Sequence, residues 1–478
     1  AIGGGVDARI VYEGSRGFIE VNGERLEPNL NFDWSDCPQG HAFDRKIADL
    51  GFRIVSCGIW GAKAEKAPGV YDFSDLDRRA TNLVERIPNC LIDIGFWLDL
   101  PKWCAANPDE TIGYADGKAG EGDTDERLGR PIRPSAASAA FRREAAHFIA
   151  ELGRFVRSRP WGKRVVMVRP QWGVYCEWHY WGMYHFPDTG KAMTEAFHRW
   201  NGGKWADAAL PTVEERIAGG GWFDPVKDAK TLDYYRCMAE TVSDFLLFCC
   251  HESRQAFPGR LIGAYYGYVM APHPPEGATV MLDKVLSSPD VDFLSNPSMY
   301  TVGSRRAGGA YYNRTIPASF RRHGKLAFIE DDMRFHHIRD WTEKAITTET
   351  PRESRMTMRR NCLNRLFDGA GMQINDPMSD TFGKRPHAYD DPDVLAGMRE
   401  AMEVGGKGGV QPGDSGNEVA LVVDPLDRLR RSVKPRQGFT VPRYFSALEF
   451  VYRTGVAFDM LTEDDLAAGR TTEAEFRE

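Results

Sequence analysis

The chain has 478 residues, 42% of them hydrophobic, and a formal net charge of −7. That length is more than one small domain and allows one large domain plus part of another. The acidic balance argues against a nucleic-acid partner. No run approaches the roughly twenty apolar residues of a membrane span, so a soluble protein is expected.

In chain order, ARIVYE, a turn at GSRG and FIEVNG predict a short β-hairpin. Eight strand candidates follow: LNFDW (30–34), FRIVSCGIW (52–60), CLIDIGFWL (90–98), RVVMVRPQWGVYCEW (164–178), LIGAYYGYV (261–269), VDFLSNPSMY (291–300), KLAFIEDDMR (325–334) and GAGMQIND (369–376). Amphipathic helices lie between them. Phe141, Ala145, Phe148, Ile149, Leu152 and Phe155 recur at helical spacing, as do Tyr235, Met238, Val242, Phe245, Leu246 and Cys249. Met358, Cys362, Leu363, Leu366 and Phe367 mark a third helix, with Gly369 as its stop.

Apolar strands alternating with helices describe an α/β fold, a (β/α)8 TIM barrel over residues 1–403. A doubly wound sheet is the alternative, but DWSDCPQG after the first strand is no glycine-rich phosphate turn. Residues 404–416, VGGKGGVQPGDSG, read as a linker. NEVALVVDP, PRYFSALEFVYRTG and VAFDMLTEDDL then predict the β-α-β opening of a second α/β domain over 417–478, incomplete in this chain.

The nine cysteines show no CxxC pair and no zinc-type Cys/His spacing. Cys249 and Cys250 adjoin in a helical pattern and read as buried thiols. A reduced set favours the cytoplasm. AIGGGVDARI holds no signal peptide but could follow a cleaved one, so a periplasmic or secreted location is the alternative.

Residues 172–181, WGVYCEWHYW, surround one carboxylate, Glu177, with aromatic rings. In a barrel of this kind the C-terminal ends of the strands line the active site. Strand alternation places Tyr175 and Glu177 on one face of the fourth strand, and Phe328, Glu330 and Asp332 on one face of the seventh. Glu177 and Glu330 can then face each other across the mouth. Two such carboxyl groups suit glycoside hydrolysis, one protonated and one ionised. Trp172, Trp178 and Trp181 would supply the apolar surroundings that keep Glu177 protonated. Arg334 would help keep Glu330 charged. The plainer alternatives are a strand-end acid partnered by Arg169 for Glu177, and a solvated acidic run with Asp331 or Asp332 as the actor for Glu330.

The strand order, with WGVYCEW on strand four and KLAFIEDDMR on strand seven, resembles the clan A glycoside hydrolases, and within them the family 42 β-galactosidases. TEAFHRWNGGKW (194–205) is similar to that family's loop after the acid/base. The resemblance implies Glu177 as acid/base, Glu330 as nucleophile, a retaining mechanism without cofactor or metal, and a flavodoxin-like second domain of the type that assembles trimers. It also implies that Tyr300 holds the nucleophile. The chain departs from the clan at Cys176, where an asparagine normally contacts the sugar 2-hydroxyl. Galactose is therefore the first expectation, with mannose or another clan A β-glycoside as the alternative.

Asp33, Trp34, Trp60, Trp97, Cys176, Trp178, Tyr300, His336 and Asp376 are the candidate substrate contacts, as polar and aromatic groups at strand ends. Phe96, Asp99 and Asn375 share that placement, and packing is the alternative for each. His336 and His337 read as substrate contacts or loop structure, because no further metal ligand in a known spacing accompanies them. The rival functions are a carbohydrate-binding barrel without chemistry and a metal-dependent hydrolase using these histidines.

Overall fold

The computed structural model describes residues 5–32, 38–117, 132–217, 221–270, 273–338, 348–376, 387–406, 419–431 and 442–471. Asp33 and Trp34 lie outside these residues.

Eight parallel strands close into a barrel. They are β1 (Asn29–Asn31), β2 (Ile54–Ser56), β3 (Leu91–Trp97), β4 (Val165–Gln171), β5 (Leu261–Tyr265), β6 (Phe293–Pro297), β7 (Leu326–Asp331) and β8 (Gly371–Ile374). Each pairs with the next, and β8 pairs with β1. Every residue of these strands is buried. That double burial is why the sequence shows continuous apolar runs rather than alternation. After a break, Ile59–Trp60 pairs with Phe96–Trp97 and carries Trp60 to the mouth.

All eight strand candidates are present, but the fourth ends sooner than the sequence implies. β4 stops at Gln171, and Trp172 to Trp181 form a folded loop. The N-terminal hairpin gains a third strand, Glu24–Leu26. Its Ile19, Val21 and Leu26 join Leu30, Ile54, Leu91, Met167, Leu261, Phe293 and Leu326 in one cluster that closes the barrel floor.

The helices α1 (Ala139–Arg157), α2 (Ala229–Ala256) and α3 (Pro351–Phe367) bury the expected stripes. The exceptions are Phe155 and Leu363, which are half-buried, and Phe367, which is exposed. Ser138 caps α1 by accepting the Phe141 N–H, and a Thr350/Glu353 capping box starts α3. Gly369 ends α3 at φ +66°, where a Cβ would lie 1.9 Å from the Ser15 carbonyl oxygen.

A further helix, α4 (Pro392–Gly406), runs through the first residues of the 404–416 segment; 407–416 lie outside the described residues. β9 (Val419–Val423) and β10 (Phe458–Thr462) pair in parallel, with α5 (Pro442–Thr454) between them. This unit is anchored to the barrel. Ser319 donates to Asp465, and Arg321 pairs with Asp459 at 3.1 Å. Among the described residues no helix is long and apolar enough to cross a membrane, and no cysteine is joined in a disulfide.

Candidate active site

The middle of the barrel holds a buried cation. Arg169 pairs with Asp93 at 3.0 Å, both side chains fully shielded from solvent. Its Nη1 donates to Ser295 Oγ at 2.8 Å and Gln373 Oε1 at 2.9 Å. A buried guanidinium needs this company to offset lost hydration. Arg169 is therefore a structural cation of the lumen, partnered by Asp93 and not by Glu177.

That network sets the layer above it. With its Oε1 taken by Arg169 and Ser295, Gln373 turns its Nε2 toward Glu330 Oε2, at 2.7 Å. The Tyr265 hydroxyl donates to the same oxygen. Glu330 is thus held by two donors on one oxygen at the C-terminal end of β7. Tyr265, at the end of β5, fills the role expected of Tyr300. Tyr300 instead donates to Asp332 Oδ2 at 2.6 Å, with its ring between the guanidinium groups of Arg305 and Arg314, each 4.0 Å from the centroid.

The three acids of Glu-Asp-Asp have separate surroundings. Asp331 faces outward and is buried under the Asn361 amide and the Tyr389 hydroxyl, each at 2.6 Å. Asp332 is ion-paired with Arg305. Burial alone would raise its pKa, but Arg305 and Arg334 outweigh that and hold it below the usual carboxylate range. Glu330 moves the other way. Burial first, then the charge of Asp332, push its pKa up to about 8; Tyr265 opposes this and the charge of Glu177 adds to it. Arg334 does not support Glu330 as expected. It donates to the carbonyls of Asp332 and Met333.

Glu177 lies in the loop after β4, its side chain 16% exposed. Alternation along a strand therefore does not position it. The loop turns through left-handed backbone at Gly173 (φ +82°), Tyr175 (φ +54°), Cys176 (φ +69°) and Trp178 (φ +58°). Non-glycine residues in this region are held there by their surroundings, and they concentrate at functional sites. Here the constraint is a tight set of bonds: Trp178 N–H to the Trp172 carbonyl at 2.8 Å, and Glu177 N–H to the Val174 carbonyl at 3.0 Å.

The tryptophans do not enclose Glu177. Trp172 and Trp178 are fully buried and pack on Phe245 of α2, with the Trp178 indole N–H bonded to the Pro170 carbonyl at 3.1 Å. Trp178 is therefore core and not a sugar contact. Trp181 turns to the rim and stacks on Trp97 at 5.4 Å, and Trp60 meets Trp97 edge-on at 5.0 Å. These three make one aromatic wall. Cys176 is half-buried in the turn. Asp376 is buried, and its Oδ2 accepts the Ala388 N–H at 2.7 Å, so it braces a loop. Phe96 points into the core against Phe148, and Asp99 is buried 3.7 Å from Arg133. His336 bonds Ser354 at 2.9 Å.

Sequence reasoning missed several groups here. Gln171 ends β4 on the same face as Arg169, fully buried, with neither amide atom partnered among the described residues. The Tyr268 hydroxyl, Trp97 and Trp181 indole nitrogens, His179 Nε2, His273 Nδ1 and Arg314 Nε also lack hydrogen-bond partners there. His179 Nε2 lies 3.5 Å from Glu177 Oε2, and its ring meets His273 at 4.2 Å. Burial, with His179 alongside, holds the His273 pKa well below its usual value. The one sequence signal was a polar residue inside an apolar strand. His179 lies against Glu177, and Tyr268 feels the charge of both acids, so polar groups gather at the same end of the barrel as the two carboxyl groups, as a pocket for a polar ligand requires.

The comparisons with known proteins bear on the fold. No protein-family model matches the sequence, and no curated protein matches it. Solved structures do. A β-galactosidase from the psychrophilic Marinomonas ef1 superposes with a TM-score of 0.59 at 15% identity, covering 91% of this chain and 69% of that one. A family 42 β-galactosidase from G. stearothermophilus gives 0.58 at 14%, covering 95% and 67%. What this chain shares with these β-galactosidases is the (β/α)8 barrel fold. An exo-carrageenase of the same family from Bacteroides ovatus gives 0.55 at 10%, covering 95% and 61%. The chain spans about two thirds of the length of these enzymes.

Proposed function

We propose that the chain is a retaining, exo-acting β-glycosidase. The observation that carries this reading is Glu330, fixed by Tyr265 and Gln373 and close enough to Glu177 for the two charges to interact, at a mouth where polar groups gather. The buried acid suits the floor beneath an anomeric carbon. The partly exposed one suits exchange of protons with a leaving group and with water.

In the first step a Glu330 oxygen bonds to the anomeric carbon, the bond to the aglycone oxygen breaks, and Glu177 gives that oxygen its proton. In the second, Glu177 takes a proton from water, the water oxygen bonds to the anomeric carbon, and Glu330 is released. The chemistry itself calls on these two carboxyl groups alone. Tyr265 and Gln373 hold Glu330 in place, and Gln171 stands ready to bind a sugar hydroxyl in place of the asparagine that Cys176 replaces.

A β-galactoside is the first substrate proposed, on the likeness to the β-galactosidases, and a β-mannoside the second. One observation favours an acidic β-glycoside: Arg314 is buried, and no carboxylate pairs with it among the described residues. Nitrophenyl β-galactoside, β-mannoside and β-glucuronide should be assayed with wild type, Glu177→Ala and Glu330→Ala. Losses of ~10²–10⁴-fold or more in both variants are expected on the best substrate. Azide should yield a β-glycosyl azide with Glu177→Ala and an α-glycosyl azide with Glu330→Ala. Near wild-type turnover in both variants would overturn the assignment, and binding without turnover across the panel would favour a carbohydrate-binding barrel.

A further inference from the structure

Outside the carboxylate pair, the chain brings together His336 and His337, from the loop after β7, and Asp391, which precedes α4. One ligand atom from each lies within 4.8 Å of the other two. His336 Nε2 is 3.8 Å and His337 Nδ1 3.9 Å from Asp391 Oδ2. These separations are too long for hydrogen bonds. They are slightly wider than the ~3.4 Å edge of a tetrahedron of ligands ~2.1 Å from a zinc ion.

The far side of each group is already occupied. His337 Nε2 faces the His387 carbonyl at 3.4 Å. A carbonyl only accepts, so the ring proton sits on Nε2 and Nδ1 is left as a bare lone pair. That Nδ1 has no hydrogen-bond partner among the described residues. His336 Nδ1 lies 2.9 Å from Ser354 Oγ, which can accept its proton and free Nε2. Asp391 Oδ1 accepts the N–H groups of Asp393 and Val394 at 3.0 and 3.1 Å, which leaves Oδ2 facing the two rings. Outer partners that orient imidazole and carboxylate toward a common point are the usual second layer of a metal site.

We propose that His336, His337 and Asp391 bind a first-row divalent cation, with zinc the best match. Two imidazoles and a carboxylate suit this class better than calcium or magnesium, which take all-oxygen shells. The three side chains are 14–18% exposed, so the ion can be reached from solvent. It would staple the loop that follows β7 to the residues that lead into α4. Tyr389 already ties those residues to β7, its hydroxyl bonding Asp331 and accepting the Met333 N–H. The role is structural and does not depend on the glycosidase reading. The sequence concealed the site because Asp391 lies 54 residues beyond His337.

The test is zinc binding to the whole chain after chelation and dialysis, followed by calorimetric titration with zinc chloride, elemental analysis and thermal unfolding. One equivalent per chain and a raised unfolding midpoint are expected. His336→Ala and Asp391→Asn should each weaken binding at least tenfold while keeping the circular dichroism of wild type. Asp391→Asn retains an oxygen for the α4 cap and so separates lost ligation from lost folding. Less than a fifth of an equivalent bound, or undiminished binding in both variants, would overturn the proposal.

Discussion

Glu330 carries the sharpest consequences. In the proposed reaction it must be ionised to attack, and burial together with Asp332 raises its pKa. The ionised fraction of Glu330 grows as pH rises through about 8, while Glu177 must still carry the proton it donates, so kcat/KM should follow a bell-shaped profile whose rising limb reports Glu330. Asp332→Asn removes the negative neighbour and should move that limb to lower pH; a pH–rate profile checks both. The same shift bears on stability. A carboxyl whose folded pKa exceeds its unfolded value binds more protons when folded, so its contribution to stability falls as pH rises from the unfolded value to the folded one. Glu330→Gln should thus be more stable than wild type at pH 8, as read by denaturant unfolding, while losing turnover. The place of Glu330 at the end of β7 was legible from strand parity; that of Glu177, in a loop beyond the end of β4, was not. Tyr265, Gln373 and Gln171 were not, because a sequence shows which face a residue takes but not which of its atoms are left without a partner.

The loop after β4 shows where sequence reading stopped at the level of elements. A run of aromatic residues through Trp178 looks like a strand, since β-propensity measures fit to a packed surface and not pairing. The left-handed turn at Gly173 ended it. An added Cβ at Gly173 would sit 2.1 Å from the His179 carbonyl oxygen. Gly173→Ala should displace Glu177, lowering kcat by more than tenfold, with a stability loss of ~2 kcal/mol or more. Steady-state kinetics and thermal unfolding check this, and an unaffected kcat would mean that the turn does not aim the acid. The loop's base is firm. Asp188 accepts from Ser135 Oγ at 2.5 Å, and Arg216 joins the Phe186 carbonyl at 2.7 Å to Glu276 at 3.0 Å. None of these partners is near in sequence, which is why the loop's shape could not be read there.

Across the whole molecule, the barrel was legible because eight apolar runs separated by helices have few other ways to bury both faces. Its polar axis was not. Arg169→Met leaves Asp93 buried without its cation and should cost ~3–5 kcal/mol in chemical denaturation; a loss under ~1 kcal/mol would show that the ion pair does not hold the lumen. β9, α5 and β10 form a β-α-β unit, and its reading as the start of a second α/β domain is part of the proposal. We take trimer assembly through it as part of the proposal, and light scattering in solution tests it.

The most direct measurement is to map where a sugar becomes attached. A 2-deoxy-2-fluoro β-glycoside of the best substrate slows release of the glycosyl-enzyme, and peptide mass spectrometry then locates the adduct. A single glycosyl group on the peptide bearing Glu330, absent in Glu330→Gln, is the expected result. A sugar attached to Glu177 or elsewhere, or turnover that inverts the anomeric centre with no adduct, would contradict the account.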